Sequence, residues 1–218
     1  MGPPPDIMGE TAAAKRASVA LVVGIGAYAL QLGASAITIG STGAAFTEAM
    51  NSSGRRNRAT TFGSTDGTQL LASAIQNLAG IAVLVVGILV VIWAYKAAEN
   101  AVRLGYPAAL STGWAIGGWI CPIVNWWFPY QSVRDLLPPG HPTRSLVGRW
   151  WGFWLVVSSS ACFMVPFLFT GGGAAGPLVV AVIGALCAAA AGVFLRQIIA
   201  AVTADHTQGA RDRFGYQG

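Results

Sequence analysis

The sequence predicts an all-α integral membrane bundle: four transmembrane helices plus a broken, Trp- and Pro-rich helix that is interfacial or re-entrant. Three observations carry this. Of the 218 residues, 54% are hydrophobic and only 10% charged, whereas soluble domains carry about 25% charged residues. Four apolar runs each reach the roughly 20 residues that a helix needs to cross a bilayer. The 28 glycines suit close helix packing in lipid.

The polar, proline-bearing residues 1–16 read as a disordered tail before a membrane domain over 17–204. Lys15 and Arg16 precede the first span, 18–39, where Gln31 is the one strongly polar residue and should seek an interhelical hydrogen bond. Lys15-Arg16, the apolar core and Ala34-Ser35-Ala36 also resemble a cleavable secretory signal. The apolar run outlasts that site through Ile37 and Ile39, so the helix is expected to be retained. Residues 40–69, rich in Ser, Thr, Gly and Asn and carrying Arg55, Arg56 and Arg58, read as an extracytoplasmic loop.

The second span, 70–95, continues as a helix through Glu99 and Arg103, which are spaced to pair on one face, and stops at Gly105 and Pro107. The third, 150–170, enters through Trp150, Trp151 and Trp154, and Ser158–Ser160 with Pro166 favour a bend. A tight turn leads to the fourth, 177–202, where Gly184, Ala188 and Gly192 form a small-residue packing face. Residues 205–218 read as a polar tail, with His206 at a helix end.

The segment 113–130, GWAIGGWICPIVNWWFPY, decides the topology. If it does not cross, ten Lys and Arg residues share the side of both termini and only Arg55, Arg56 and Arg58 lie opposite. The positive-inside rule then makes that side the cytoplasm. If it crosses, Arg134, Arg144 and Arg149 move outside and the asymmetry nearly vanishes. Pro122 and Pro129 each remove a helical hydrogen bond, and tryptophan favours the headgroup zone. The expectation is four spans in a bacterial inner membrane, with both termini cytoplasmic.

Chemistry is sparse. The basic excess of +5 flanks apolar blocks, which points to anionic headgroups and away from nucleic acid. No ionisable residue occupies the middle of a span, which weakens a pump reading. No hydrolase, metalloprotease or phosphate-loop motif is present, no cofactor is expected, and the chain reads as a non-enzyme. Cys121, Cys162 and Cys187 have no metal-ligand spacing and read as packed thiols, and His141 reads as a loop histidine.

The candidate cluster is Trp93, Glu99, Asn100, Arg103, Trp114, Trp119, Pro122, Asn125, Pro129 and Arg134. Two readings stand side by side. Asn100 and Asn125 satisfy the backbone groups that the prolines expose. Alternatively, Arg103 and Arg134 grip a lipid headgroup or small polar ligand between tryptophan walls. The expected partners are membrane lipids, a second copy or another membrane protein. A scaffold or binding role leads, an oligomeric transporter or channel is the alternative, and a lipid-active enzyme comes third.

The succession IWAYKAAENAVRLG, then STGWAIGGWICPIVNWWFPYQSVRDL, resembles the bacterial, mostly actinobacterial membrane family called domain of unknown function 4328. The matching positions are Trp93 and Asn100, then Trp114, Gly117 or Gly118, Trp119, Pro122, Asn125 and Pro129. The resemblance covers about residues 18–205 and implies a multi-span membrane protein. It implies no activity, ligand or catalytic residue.

Overall fold

A computed structural model describes residues 4–52, 67–121, 123–170 and 175–215, and no strand occurs among them. The helices are α1 (Ile7–Ser52), α2 (Gly67–Arg103), α3 (Trp114–Ile120), α4 (Phe128–Arg134), α5 (Arg144–Met164), α6 (Phe167–Thr170) and α7 (Ala175–Phe214). Among the described residues, three stretches are long and apolar enough to cross a membrane: Ile7–Thr42, Gln69–Arg103 and Ala175–Phe214.

The expected third span, 150–170, is not among them. Helix α5 carries Arg144 and Arg149 in its first two turns and ends at Met164. Pro166 has no N–H to donate, and the chain resumes as α6 only at Phe167. The bend expected there is therefore a break. Upstream, Ser159 Oγ donates to the Leu155 carbonyl at 2.8 Å and Ser160 Oγ to that of Val157 at 2.6 Å.

Both expected tails are largely helical. Helix α1 starts at Ile7, so residues 7–16 are not a loose tail, and α7 runs on to Phe214. Both ends of the expected 40–69 loop are helical, since α1 continues to Ser52 and α2 begins at Gly67. Arg55, Arg56 and Arg58 lie outside the described residues. Helix α2 ends where its sequence predicts. Gly105 takes φ +73°, and the amides of Gly105 and Tyr106 return to the carbonyls of Val102 and Ala101 at 2.9 Å each. This is the Schellman arrangement, which a residue with a Cβ adopts only under strain.

The contacts divide the chain into two compact units. The second comprises Gly24–Val83 and Trp154–Ala189. Within it, Gln76 Nε2 donates to Ser35 Oγ at 3.0 Å, and Gln31 lies beside Gly80, so α1 and α2 run antiparallel. The interhelical bond expected of Gln31 is thus made one turn away. Leu32, Ala36, Met164 and Ala181 form a buried apolar cluster. Gly184 sits where a Cβ would come within 2.8 Å of Leu32 Cδ1 and 3.5 Å of Ser160 Cβ. The small-residue face of α7 therefore packs against both α1 and α5. Tyr28 Oη donates to the Val157 carbonyl at 2.8 Å and lies 2.8 Å from Ser160 Oγ.

The first unit comprises Met1–Val23, Leu84–Phe153 and Ala190–Gly218. Its largest fully buried side chains include Trp93, Trp150, Leu104, Leu137, Ile198 and Ile199. The tryptophan segment belongs to this unit and is broken as expected. Helix α3 ends at Ile120, the backbone of Cys121 is extended, and a 3-10 turn follows over Val124–Trp126. Pro129 then lies in the first turn of α4, where its missing N–H costs nothing. Pro122 lies outside the described residues. The two short helices fold onto each other. A Cβ on Gly118 would come within 2.8 Å of Phe128 Cβ, and the Trp114 and Phe128 rings meet edge-to-face at 4.8 Å.

Candidate functional site

The first unit buries three ionisable side chains: Glu10, His206 and Asp135. Helical periodicity puts the first two inside. The buried stripe of α1 reads Ile7, Glu10, Ala13, Ala14, Ala17, Leu21. That of α7 reads Leu195, Ile198, Ile199, Val202, His206, Ala210. Each stripe follows the three-or-four-residue spacing of a helix face and carries one charged-type residue.

Those two residues meet. His206 Nδ1 lies 3.0 and 2.9 Å from the Glu10 carboxylate oxygens, and Nε2 lies 2.9 Å from the Leu136 carbonyl. All three neighbours are acceptors, so a ring protonated at both nitrogens donates to each side. An imidazolium beside a carboxylate also leaves no net charge in the interior. Asn100 completes the cluster. Its Nδ2 donates to Glu10 Oε2 at 2.7 Å and to the Asp6 carbonyl at 3.0 Å, while its Oδ1 accepts the Asp6 N–H at 2.8 Å.

Asp6 ties this cluster to the start of α1. Its Oδ1 accepts the Gly9 N–H at 2.9 Å, a helix N-cap, and its Oδ2 pairs with Lys96 Nζ at 3.3 Å. The Gly9 amide holds the Asp6 carboxyl below its usual range against the opposing effect of burial, and Lys96 adds to the lowering. A Cβ on Gly9 would collide with that carboxylate.

A second polar group braces the connector. Asp135 Oδ1 accepts from Arg134 Nε and Arg144 Nη2, both at 3.0 Å, and its Oδ2 accepts the Ala109 N–H at 3.1 Å. The bond to Asp135 raises the Arg134 pKa. Tyr106 Oη donates to Asp205 Oδ2 at 2.6 Å, and its ring lies 5.7 Å from that of His206. Burial, then the Asp205 bond, push the Tyr106 hydroxyl up. Arg213 Nη1 donates to the Leu104 carbonyl at the end of α2.

The sequence model of one family, Domain of unknown function (DUF4328), matches residues 56–204. The chain belongs to the DUF4328 family. No curated protein and no solved structure matches it. All ten candidate residues lie inside the DUF4328 match, whereas Glu10 and His206 lie outside it.

The structure separates the DUF4328 candidates. Asn100 is buried and central, bonded to Asp6 and Glu10. Asn125 does not reach it, and its buried Oδ1 has no hydrogen-bond partner among the described residues. The expected satisfaction of the segment by Asn125 is therefore not found. Trp93 is fully buried, and its Nε1 likewise has no partner among them. Glu99 accepts from Tyr95 Oη at 3.2 Å, and Arg103 Nη1 donates to the Pro4 carbonyl at 3.2 Å, so the two form no ion pair with each other. Arg134 is committed to Asp135, and Arg103 spends one N–H on the Pro4 carbonyl.

Trp114 packs on Phe128, and Trp119 lies 6.3 Å from the Trp150 ring. Cys121 and Cys162 are exposed thiols, not packed ones, and Cys187 is half-buried. Among the described residues, no group of three or more His, Cys, Asp or Glu side chains is arranged to hold a metal ion. The Glu10–His206–Asn100 cluster is closed on itself. Both ring nitrogens are engaged and all three side chains are at most 1% exposed, so its chemistry is the fastening of helix ends.

Proposed function

We propose that this DUF4328 chain is a four-span, non-enzymatic membrane scaffold in a bacterial inner membrane, with both termini on the cytoplasmic side. The observation that carries the reading is the outer surface of the tryptophan segment. Trp114, Ile116, Ile120, Ile123, Trp126 and Trp127 are all exposed, with Ile123 at 85%. A patch so rich in tryptophan and isoleucine is costly in water and suited to the headgroup–acyl boundary. The segment then rests at the cytoplasmic interface, and α5 with α6 supplies the fourth crossing. Three further features support this. Both chain ends, the tryptophan segment and the 135–144 connector fall in one compact unit. The antiparallel packing of α5 and α7 suits a hairpin. The ten-to-three split of basic residues suits the positive-inside rule.

Cysteine labelling from outside the cell tests the topology. Ser52→Cys and Ser64→Cys should react and His141→Cys should not. External labelling at position 141 overturns the four-span reading. Native mass spectrometry from lipid nanodiscs tests the role: a scaffold holds a fixed complement of lipids or subunits. Solute flux through proteoliposomes that contain only this chain would favour the transporter alternative.

A further inference from the structure

Within the first unit, the outer faces of the first turns of α1 and the last turns of α7 enclose an open groove of about 910 Å³. We propose that this groove holds one anionic phospholipid of the cytoplasmic leaflet, its phosphate drawn to Lys15 and Arg211. The inference rests on the membrane-spanning reading above.

Chemistry selects the occupant. Lys15 and Arg211 line the groove, and no acidic residue does. Among the described residues neither cation has an ion-pair partner, in contrast to Lys96, Arg134 and Arg144. The walls between them are largely apolar, with Ile7, Met8 and Ala12 on one side and Ile199, Ala200 and Ala204 on the other. A free phosphate would leave those walls bare, whereas a phospholipid covers them with its glycerol and upper acyl carbons.

Position agrees with charge. The groove ends at Ser18 and Ile199, where the apolar runs begin, so its inner end opens towards acyl chains. The Glu10–His206 contact sets the register of the antiparallel α1 and α7. Lys15 then lies five residues inward of that level and Arg211 five residues outward. Cα–Cβ bonds lean towards the N-terminus of their own helix. On antiparallel helices this inclines Lys15 outward and Arg211 inward, so the two cations converge along the groove.

The test uses the full chain in nanodiscs of equal parts phosphatidylglycerol and phosphatidylcholine, with retained lipid read by native mass spectrometry. One phosphatidylglycerol should persist on the wild type. A basic residue near an anionic surface is worth about fivefold in binding. Lys15→Gln with Arg211→Gln should therefore reduce retention by about twenty-five-fold. Ala200→Trp, which fills the groove without changing charge, should also release the lipid. Arg149→Gln, which removes one positive charge from an exposed residue outside the groove, should leave retention unchanged. Equal loss on Arg149→Gln, full retention in the double variant, retention of phosphatidylcholine instead, or a second copy of the chain seated on this face each overturns the proposal. Resistance of the same samples to alkaline carbonate extraction is scored separately. A variant that stays in the membrane yet keeps its lipid sinks the site alone, whereas extraction of the wild type sinks the membrane reading.

Discussion

Glu10 and His206, 196 residues apart, share a carboxylate–imidazole contact at 2.9 Å with side chains at most 1% exposed. Removing one partner leaves the other buried and unpaired, which costs about 3–5 kcal/mol. Glu10→Leu and His206→Leu should each destabilise the protein on that scale. The double variant should lose less than the sum and less than the worse single, since no charge is then stranded. Thermal unfolding in detergent, arranged as a double-mutant cycle, checks this. Simple additivity would show that the pair is not coupled.

The two asparagines of the family block should behave differently. Asn100→Leu strips a donor from Glu10 and both bonds from the Asp6 backbone, leaving buried groups unsatisfied at about 1–3 kcal/mol. Asn125→Leu removes an amide whose oxygen has no partner among the described residues, so stability should hold or rise. A larger loss at 125 than at 100 in the same unfolding assay reverses this assignment.

Asp6 gives the start of α1 a dependence on acid. Its folded pKa is lowered, so its contribution is complete above the unfolded value of about 3.9 and is lost as pH falls through the folded value. The side chain is 55% exposed, so the ion pair with Lys96 adds little and the N-cap is the larger share, about 1 kcal/mol. Asp6→Asn keeps a capping oxygen without the titration. Melting temperatures measured from neutral pH down through that range should fall more steeply for the wild type than for Asp6→Asn. Parallel curves would remove Asp6 from the account.

The α5–α7 hairpin fixes two thiols in depth. Ser160 faces Gly184, and Met164 shares a cluster with Ala181, so Cys162 lies level with about residue 182. Cys187 is about five residues deeper on α7, roughly 7 Å at 1.5 Å per residue. With Cys121→Ser in place, spin labels at Cys162 and Cys187 should report membrane depths within about two helical turns of each other. A larger gap contradicts the register.

What the sequence made legible was local. Gly105 and Pro107 mark the end of α2 because positive φ and a missing N–H are properties of single residues. The interruption near Pro129 and the break at Pro166 follow for the same reason. The family block was equally readable, since Trp93 to Pro129 lie within one stretch of chain. The heart of the polar cluster was not. Glu10 and His206 sit among polar residues that look like tails, and their pairing needs helices brought together from distant parts of the chain. A signal was nonetheless present. Extending the apolar stripe of α7 past Val202 by helical steps lands on His206 and Ala210, and extending that of α1 backwards from Ala17 lands on Glu10. Asn125 misled because its place in a proline-rich segment suggested a bond that its buried oxygen does not make among the described residues. The neighbours Arg134 and Asp135 could be read as a local pair, whereas the bond from Arg103 to the distant Pro4 carbonyl could not.

The separation of Glu10 from His206 also sets a schedule for biogenesis. A ribosome adding about 5–20 residues per second needs roughly ten to forty seconds to pass from one to the other. Throughout that interval the first helix is in place while its carboxylate lacks the ring that neutralises it. The nascent chain therefore stays incomplete at this end until α7 is nearly finished. A chain interrupted before position 206 carries an unmatched acid where a sealed contact belongs.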